Sequence, residues 1–296
     1  MNNRYKITVF TPTYNRAYII QNLYQSLQRQ TFTDFEWLVV DDGSTDNTGA
    51  VFEEWAKQNN SFPIRYYKQS NGGKCRAINY ALDLAEGELF FTVDSDDYLT
   101  DDALEKIVKW ESTLPKNEVF CGVAGNLGTA TDQTPNTPIK GEYYEGTLLD
   151  RYRNIDGERA IVFYTEVHRK YKYPEFDGEK FMTEAVVYNR MAHDGYKMRF
   201  YNDIIWIYEY KEDGLTKAGN TVFLNNPHGY GLWLREKSKF EKRSFVDQLK
   251  MYYTFTCDLS NRYNIMTIAE CIGAPVAVIA FFNAVHKVIQ MIRGRK

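Results

Sequence analysis

Four times within the first hundred residues, a short apolar or β-branched run gives way to polar residues and then to a stretch of helical character. Lys6–Phe10, Glu36–Val40, Ile64–Tyr67 and Phe90–Val93 have the composition of strands. Between them, Ile19, Ile20, Leu23, Tyr24 and Leu27, then Val51, Phe52 and Trp55, then Ala77, Ile78, Ala81, Leu82 and Ala85 recur at helical spacing. Ser44, Thr45 or Asp46 is placed to cap the second of these helices. Such alternation predicts an α/β fold with a mostly parallel sheet flanked by helices, because parallel strands need crossover connections that cover the sheet faces. Crossovers are right-handed, so the loops that follow the strands gather along one sheet edge. Those loops, Thr11–Arg16, Asp41–Ser44, Asn71–Lys74 and Asp94–Asp97, are polar. Open α/β sheets bind their ligands at this carboxyl edge.

The last loop packs three carboxylates, Asp94, Asp96 and Asp97, into four positions. Acidic groups so close repel one another unless a cation or a hydrogen-bond donor sits among them. Their oxygens are the hard ligands that Mg²⁺ or Mn²⁺ prefers. The same residues also suit a solvated turn leading into a helix cap. Composition narrows the partners. A net charge of -3 and a pI near 5.9 give no reason to expect a nucleic-acid backbone. Cys75, Cys121, Cys257 and Cys271 form neither a C-x-x-C pair nor a dense framework, so thiols in a reducing compartment are expected rather than zinc or disulfides. Met1–Lys6 is polar and runs straight into a strand, which predicts no secretory signal and a chain on the cytosolic side.

Beyond residue 100 the pattern loosens. Thr100–Trp110 reads as an amphipathic helix, Cys121–Leu127 as a strand, Thr129–Lys140 as a loop and Tyr143–Lys170 as mixed strand and helix. Glu179–Ala192 has helical character, with Phe181, Ala185, Tyr188 and Met191 along one stripe, and Ile204–Tyr210 reads as a strand. Glu209–Thr216 and the polar run from Lys217 to Gly231 read as a mobile segment. Asn264–Val285 is largely apolar but broken by Glu270, Gly273, Pro275 and Asn283, with Lys287, Arg293, Arg295 and Lys296 after it. A Glu inside a membrane span is costly, so this tail is expected to lie at a membrane interface, basic end on anionic lipid. A helix pair packed on the domain is the plainer alternative.

Four segments together carry a resemblance. Thr-Pro-Thr-Tyr-Asn-Arg (11–16), Gln30 to Asp46 with its Asp-Asp-Gly-Ser turn, Asn-Gly-Gly-Lys-Cys-Arg-Ala-Ile-Asn (71–79) and Val-Asp-Ser-Asp-Asp (93–97) resemble, in order and spacing, the family 2 glycosyltransferases of GT-A fold. The likeness covers about the first 110 residues. It implies an inverting enzyme that takes a sugar from a UDP-sugar, with Mn²⁺ or Mg²⁺ as cofactor and a saccharide or lipid-linked saccharide as acceptor, in surface polysaccharide assembly. It implies that Pro12, Tyr14 and Asp42 hold base and ribose, that Asn71, Gly73 and Lys74 meet the diphosphate, that Asp94 holds ribose or orients the site, and that Asp96 binds the metal. The family's acidic motif at a helix start falls on Met182–Arg190, where Thr183-Glu184 stands for the usual Glu-Asp. Glu184 is thus the candidate base, with Asp177 and Glu179 as competitors, and Trp233 is placed to contact the acceptor. The implied division is a nucleotide-sugar half (1–125), an acceptor half with the base and a mobile loop (126–235), and C-terminal helices (236–296) touching a membrane. Two other readings share the sheet: a non-catalytic nucleotide-sugar-binding protein, and a nucleotidyltransferase. The second is disfavoured because Thr11–Arg16 has no Gly.

Overall fold

The computed structural model describes residues 4–209 and 219–293. Two compact units divide the chain, one of residues up to 173 with 190–211, the other of 174–189 with 212 onward. The three-part functional division read from the sequence concerns ligands rather than contacts.

The first unit is built on a nine-stranded sheet in the order β3-β2-β1-β4-β8-β6-β9-β5, with β7 also pairing β9. β1 (Tyr5–Thr13), β2 (Phe35–Asp41), β3 (Ile64–Lys68) and β4 (Gly87–Thr92) pair in parallel. They are joined by α1 (Gln21–Gln28), α2 (Thr48–Trp55) and α3 (Lys74–Leu84). After β4 come β5 (Tyr98–Leu99), α4 (Ala103–Ser112), β6 (Phe120–Gly128), β7 (Tyr143–Thr147), α5 (Leu148–Asn154), β8 (Arg159–Tyr164) and α6 (Thr165–Lys170). Here the sheet becomes mixed: β8 runs antiparallel to both β4 and β6, while β9 (Lys197–Ile207) runs parallel to β6.

The central strands are buried on both faces, which is why they read as continuous apolar runs. Ile7, Val9, Trp37, Val39, Leu89 and Phe91 share one core with Leu23, Leu27, Phe52, Trp55 and Leu104. Trp37 and Phe91 are fully buried, and each such side chain stabilises the fold by roughly 1.5–3 kcal/mol.

The strand limits differ instructively from the pattern. Thr11–Thr13, expected as loop, continues β1, with Pro12 opposite Val40. Pro12 costs no ladder bond there: the pairing with β4 ends at Phe10 and Thr92, so among the described residues no strand lies on the side where its N–H is missing. The expected strand Ile204–Tyr210 begins earlier, at Lys197, and ends at Ile207; Tyr210 lies outside the described residues.

The second unit is helical: α8 (Thr221–Leu224), α9 (Pro227–Phe240), α10 (Phe245–Leu259), α11 (Ile265–Ile272) and α12 (Val276–Arg293). Phe255, Leu259, Ile268, Ile272 and Ile279 form its core. Gly231 lets α9 meet α11, since a Cβ there would stand 2.1 Å from the Cys271 carbonyl oxygen. Gly273, in the left-handed region at φ 64, ends α11 as a helix C-cap. The run 217–231, expected as mobile, is therefore helical from Thr221 to Leu224 and again from Pro227; residues 210–218 lie outside the described residues. Trp233 packs against Phe223 and Tyr230, ring centroids 5.4 and 6.2 Å away.

Glu179–Glu184, expected as helix, is irregular. α7 begins only at Ala185 and runs to His193. The reason lies in Glu179, whose carboxylate accepts from the His228 and Gly229 N–H groups at 2.7 and 2.9 Å. It thereby serves the first turn of α9, whose N–H groups have no partner within their own helix.

Candidate functional site

The carboxyl ends of β1, β2, β3 and β4 bring the four polar loops together along one edge of the first unit. Asn15 holds the first loop in the left-handed region at φ 53. Its side-chain oxygen accepts from the Thr45 N–H at 2.8 Å, and its own N–H donates to Ser44 Oγ at 2.8 Å. Asp46 accepts from the Ala17 N–H at 3.1 Å and the Thr48 N–H at 3.0 Å. Burial alone would raise the Asp46 carboxyl; the bonds from Thr48 and Ala17 outweigh it and hold the group below its ordinary range. The β1–α1 and β2–α2 loops are thus zipped to each other. Tyr14 stands between Thr13 and Asn15 with its side chain exposed.

Asp41 and Asp42 diverge in role. Asp41 is fully buried, accepting from the Ser44 N–H at 2.6 Å and from the Tyr66 hydroxyl. Asp42 is buried too, and its carboxylate anchors the third loop. It accepts from Gln69 Nε2 at 2.8 Å and from the Gly72 and Gly73 N–H groups at 2.8 and 2.7 Å. Asn71 Nδ2 donates to the Asp42 carbonyl at 2.9 Å. Three of about four acceptor positions on the carboxylate are taken, which leaves room for one further donor. Gly73 is required by its φ of 92, which suits only glycine, and its amide is committed to Asp42 rather than to an incoming phosphate.

At the fourth loop, Lys74 Nζ lies 2.8 Å from Asp94 Oδ1, and Arg16 Nη2 lies 3.8 Å from Asp96 Oδ2. Two cations drawn from separate loops face two of the three carboxylates. Asp97 takes another course. It is buried, accepts from Trp206 Nε1 at 2.8 Å, and its N–H donates to the Asp94 carbonyl at 3.2 Å. Burial, then the adjacent Asp94 charge, push its carboxyl up to about 7 against the bonds that would lower it.

Pro12, Tyr14, Asp42, Asn71, Gly73, Lys74, Asp94 and Asp96 therefore lie on one rim. Arg16, Gln69 and Trp206 are further members. Arg16 sits inside the first motif, where an Arg in a polar loop looks like any surface cation; Trp206 lies 109 residues from its partner Asp97, and no local pattern links them. Among the described residues, no group of three or more His, Cys, Asp or Glu is arranged to hold a metal alone. Asp94 and Asp96 offer hard oxygens of the type that Mg²⁺ and Mn²⁺ take, as part of a coordination sphere completed by phosphate and water. The donor set fits such an ion.

Glu184 belongs to the second unit and immediately precedes α7. The Tyr188 hydroxyl donates to its Oε2 at 2.8 Å. Of its competitors, Glu179 is buried and spent on α9, with His228 Nδ1 2.8 Å away as well. Asp177 lies on the exposed turn before Gly178.

Comparison with known proteins agrees with this geometry at the level of family and fold. The model of the family described as "Glycosyl transferase family 2" matches residues 8–174. A chondroitin synthase of Pasteurella multocida is 27% identical over 251 residues, 81% of this chain and 22% of that protein. The poly(ribitol-phosphate) beta-N-acetylglucosaminyltransferase TarS of Staphylococcus aureus is 40% identical over 147 residues, 49% of this chain and 25% of that one. The chain thus spans about a quarter of the length of these curated relatives. Among solved structures, S. aureus TarS 1–349 in complex with UDP-GlcNAc matches with a TM-score of 0.60 at 18% identity, covering 97% of this chain and 92% of that one. A mannosyltransferase from Pyrobaculum calidifontis, solved with GDP-Man and Mn²⁺, matches at 0.55 and 21% identity over 80% of this chain and 65% of that one. These likenesses identify a GT-A fold.

Proposed function

The chain belongs to glycosyl transferase family 2, and from that premise we propose that it is a metal-dependent, inverting glycosyltransferase using a UDP-sugar donor. The acceptor is a saccharide or lipid-linked saccharide of surface polysaccharide assembly, and residues 264–296 touch the inner face of the cell membrane. The observation that carries the reading is the pairing of Lys74 with Asp94 and of Arg16 with Asp96 on the rim that Asp42 organises.

The Tyr14 ring packs on the base, beside Pro12, and the remaining acceptor position of Asp42 takes the uracil N3–H. Asn71 and Gly73 shape the turn that presents Lys74 and the start of α3, where the helix dipole favours negative charge. Asp96, with Asp94 beside it, would hold Mn²⁺ or Mg²⁺, whose charge would neutralise the departing diphosphate. Lys74 and Arg16, which face Asp94 and Asp96 on the same rim, would turn to the phosphate oxygens of a bound diphosphate. Glu184 accepts the proton of the acceptor hydroxyl as its oxygen attacks the anomeric carbon from the face opposite UDP. A new C–O bond forms, the bond to the UDP oxygen breaks, and configuration inverts. Tyr188 keeps the Glu184 carboxylate oriented.

The test is UDP release from candidate UDP-sugars with a saccharide acceptor, with and without Mn²⁺. Turnover should require the metal and fall about 10²-fold or more in Asp96→Ala and in Glu184→Ala. Glu184→Ala should still bind UDP as the wild type does. Full turnover in Glu184→Ala moves the base elsewhere, and no turnover with any donor leaves only nucleotide-sugar binding.

A further inference from the structure

A surface helix on a globular protein normally turns its apolar stripe inward. α12 carries apolar residues outward as well as inward. Its inward side carries Ile279, Phe282 and Asn283, and the buried Asn283 Oδ1 accepts no hydrogen bond among the described residues. Ala277, Phe281, Ala284, Val288 and Ile292, three or four residues apart, share one outward stripe. Phe281 is 64% exposed and Ile292 61%. α10 extends this face. Leu259 and Phe255 join Ile279 in the core while Tyr253 meets Phe282 at 5.7 Å, so the two helices pack antiparallel. The first turn of α10, with Phe245 and Val246 both exposed, therefore points toward the last turns of α12.

The surrounding charge is basic. Residues 235–296 hold 11 Lys and Arg against 5 Asp and Glu, whereas the residues before them hold 25 against 34. Lys242 precedes α10 and Lys287 flanks the apolar stripe of α12, while Arg243 and Lys250 are paired with Glu241 and Asp247 at 2.7 and 3.2 Å. A two-fold contact between copies would set this basic rim against itself. An anionic surface meets both features at once.

We propose that the apolar face of α10 and α12 docks on an anionic lipid bilayer, lying in the interface with its basic rim on the headgroups. This rests on the membrane contact proposed above and deepens it by naming the face, on α10 and α12, that makes it; it is independent of the transferase chemistry. Among the described residues no single helix is long and apolar enough to cross a membrane. The bent pair α11–α12, at 120°, is not a re-entrant span, since Ile268, Cys271 and Ile272 of α11 are committed to the protein core.

The experiment is co-flotation of the whole chain with vesicles of phosphatidylcholine alone or with one-third phosphatidylglycerol, at low and high salt. The wild type should float with the anionic vesicles, several-fold less with neutral ones or at high salt. The double variant Phe281→Glu/Val288→Glu should lose binding at least tenfold, and Lys242→Glu/Lys287→Glu several-fold. Met266→Glu, at an exposed position of α11 off the stripe, should bind as the wild type does. Circular dichroism melts confirm that each variant is folded. If folded Phe281→Glu/Val288→Glu binds like wild type, this face is wrong though the membrane contact stands. If the wild type binds no vesicle, or sedimentation shows that the face instead joins two copies, both are overturned. UDP release in the same preparations reports separately on the transferase reading.

Discussion

Asp97 shows how differently neighbouring carboxylates behave within one turn. Its ordinary value of 3.8 is raised to about 7. The folded state therefore favours its protonated form, so its contribution is fully present below about pH 4 and is lost as pH rises through about 7. In chelator, Asp97→Asn should match the wild type near pH 4, exceed its thermal stability increasingly as pH rises toward 7, and keep a constant lead above that, by on the order of a few kcal/mol. Melting curves from pH 4 to 8.5 check this; an offset that does not change between pH 4 and 7 would mean that the Asp97 carboxyl is not raised by its burial. Lys74 is tested by binding. Removing one charge-assisted contact costs about 1.5–3 kcal/mol, so Lys74→Met should weaken UDP affinity roughly 10- to 100-fold in Mn²⁺ by calorimetry. Unaltered affinity would return Lys74 to a purely structural partner of Asp94.

Helices in this protein are positioned by their ends and by glycines at crossings. α9 begins where it does because Glu179 reaches its N-terminus, and that commitment leaves the stretch up to Glu184 irregular. Glu179→Gln should cost about 1 kcal/mol of stability, visible as a lowered denaturant midpoint with an unchanged slope. Gly231 carries a harder constraint, because the close approach of the α11 backbone leaves no space for a methyl group. Gly231→Ala should destabilise the chain by about 1–3 kcal/mol, whereas the same change at Gly178, where a Cβ meets nothing within 4 Å, pays only for its φ of 76. Equal midpoints for Gly231→Ala and wild type would show that α9 and α11 do not pack this closely.

Across the whole molecule, the rim is assembled from four segments separated by up to about eighty residues, and they are bound to one another rather than to their own neighbours in sequence. A ligand held there should order them together. With UDP and Mn²⁺ at about 100 times the dissociation constant, the chain should gain about 2.7 kcal/mol of stability. Amide exchange should slow in concert across 13–17, 42–48, 71–76 and 94–98. Protection confined to one of the four would break the common site into separate loops.

The first four strands, their helices and their polar ends were legible in the sequence because parallel strands covered on both faces leave long apolar runs, and each rim loop follows such a run directly. The resemblance to family 2 rested on the same loops, and the family match covers them. What stayed illegible depends on partners far away in the chain. The antiparallel turn of the sheet at β8, the irregular run before α7 and the bond from Trp206 to Asp97 each join residues with no shared local pattern. Apolar content announced α11 and α12, but not which side of α12 faces outward, since a stripe of Phe, Val and Ile looks the same whether protein or something else covers it. Periodicity lies in the chain; the choice of what meets each face is made only when the elements pack.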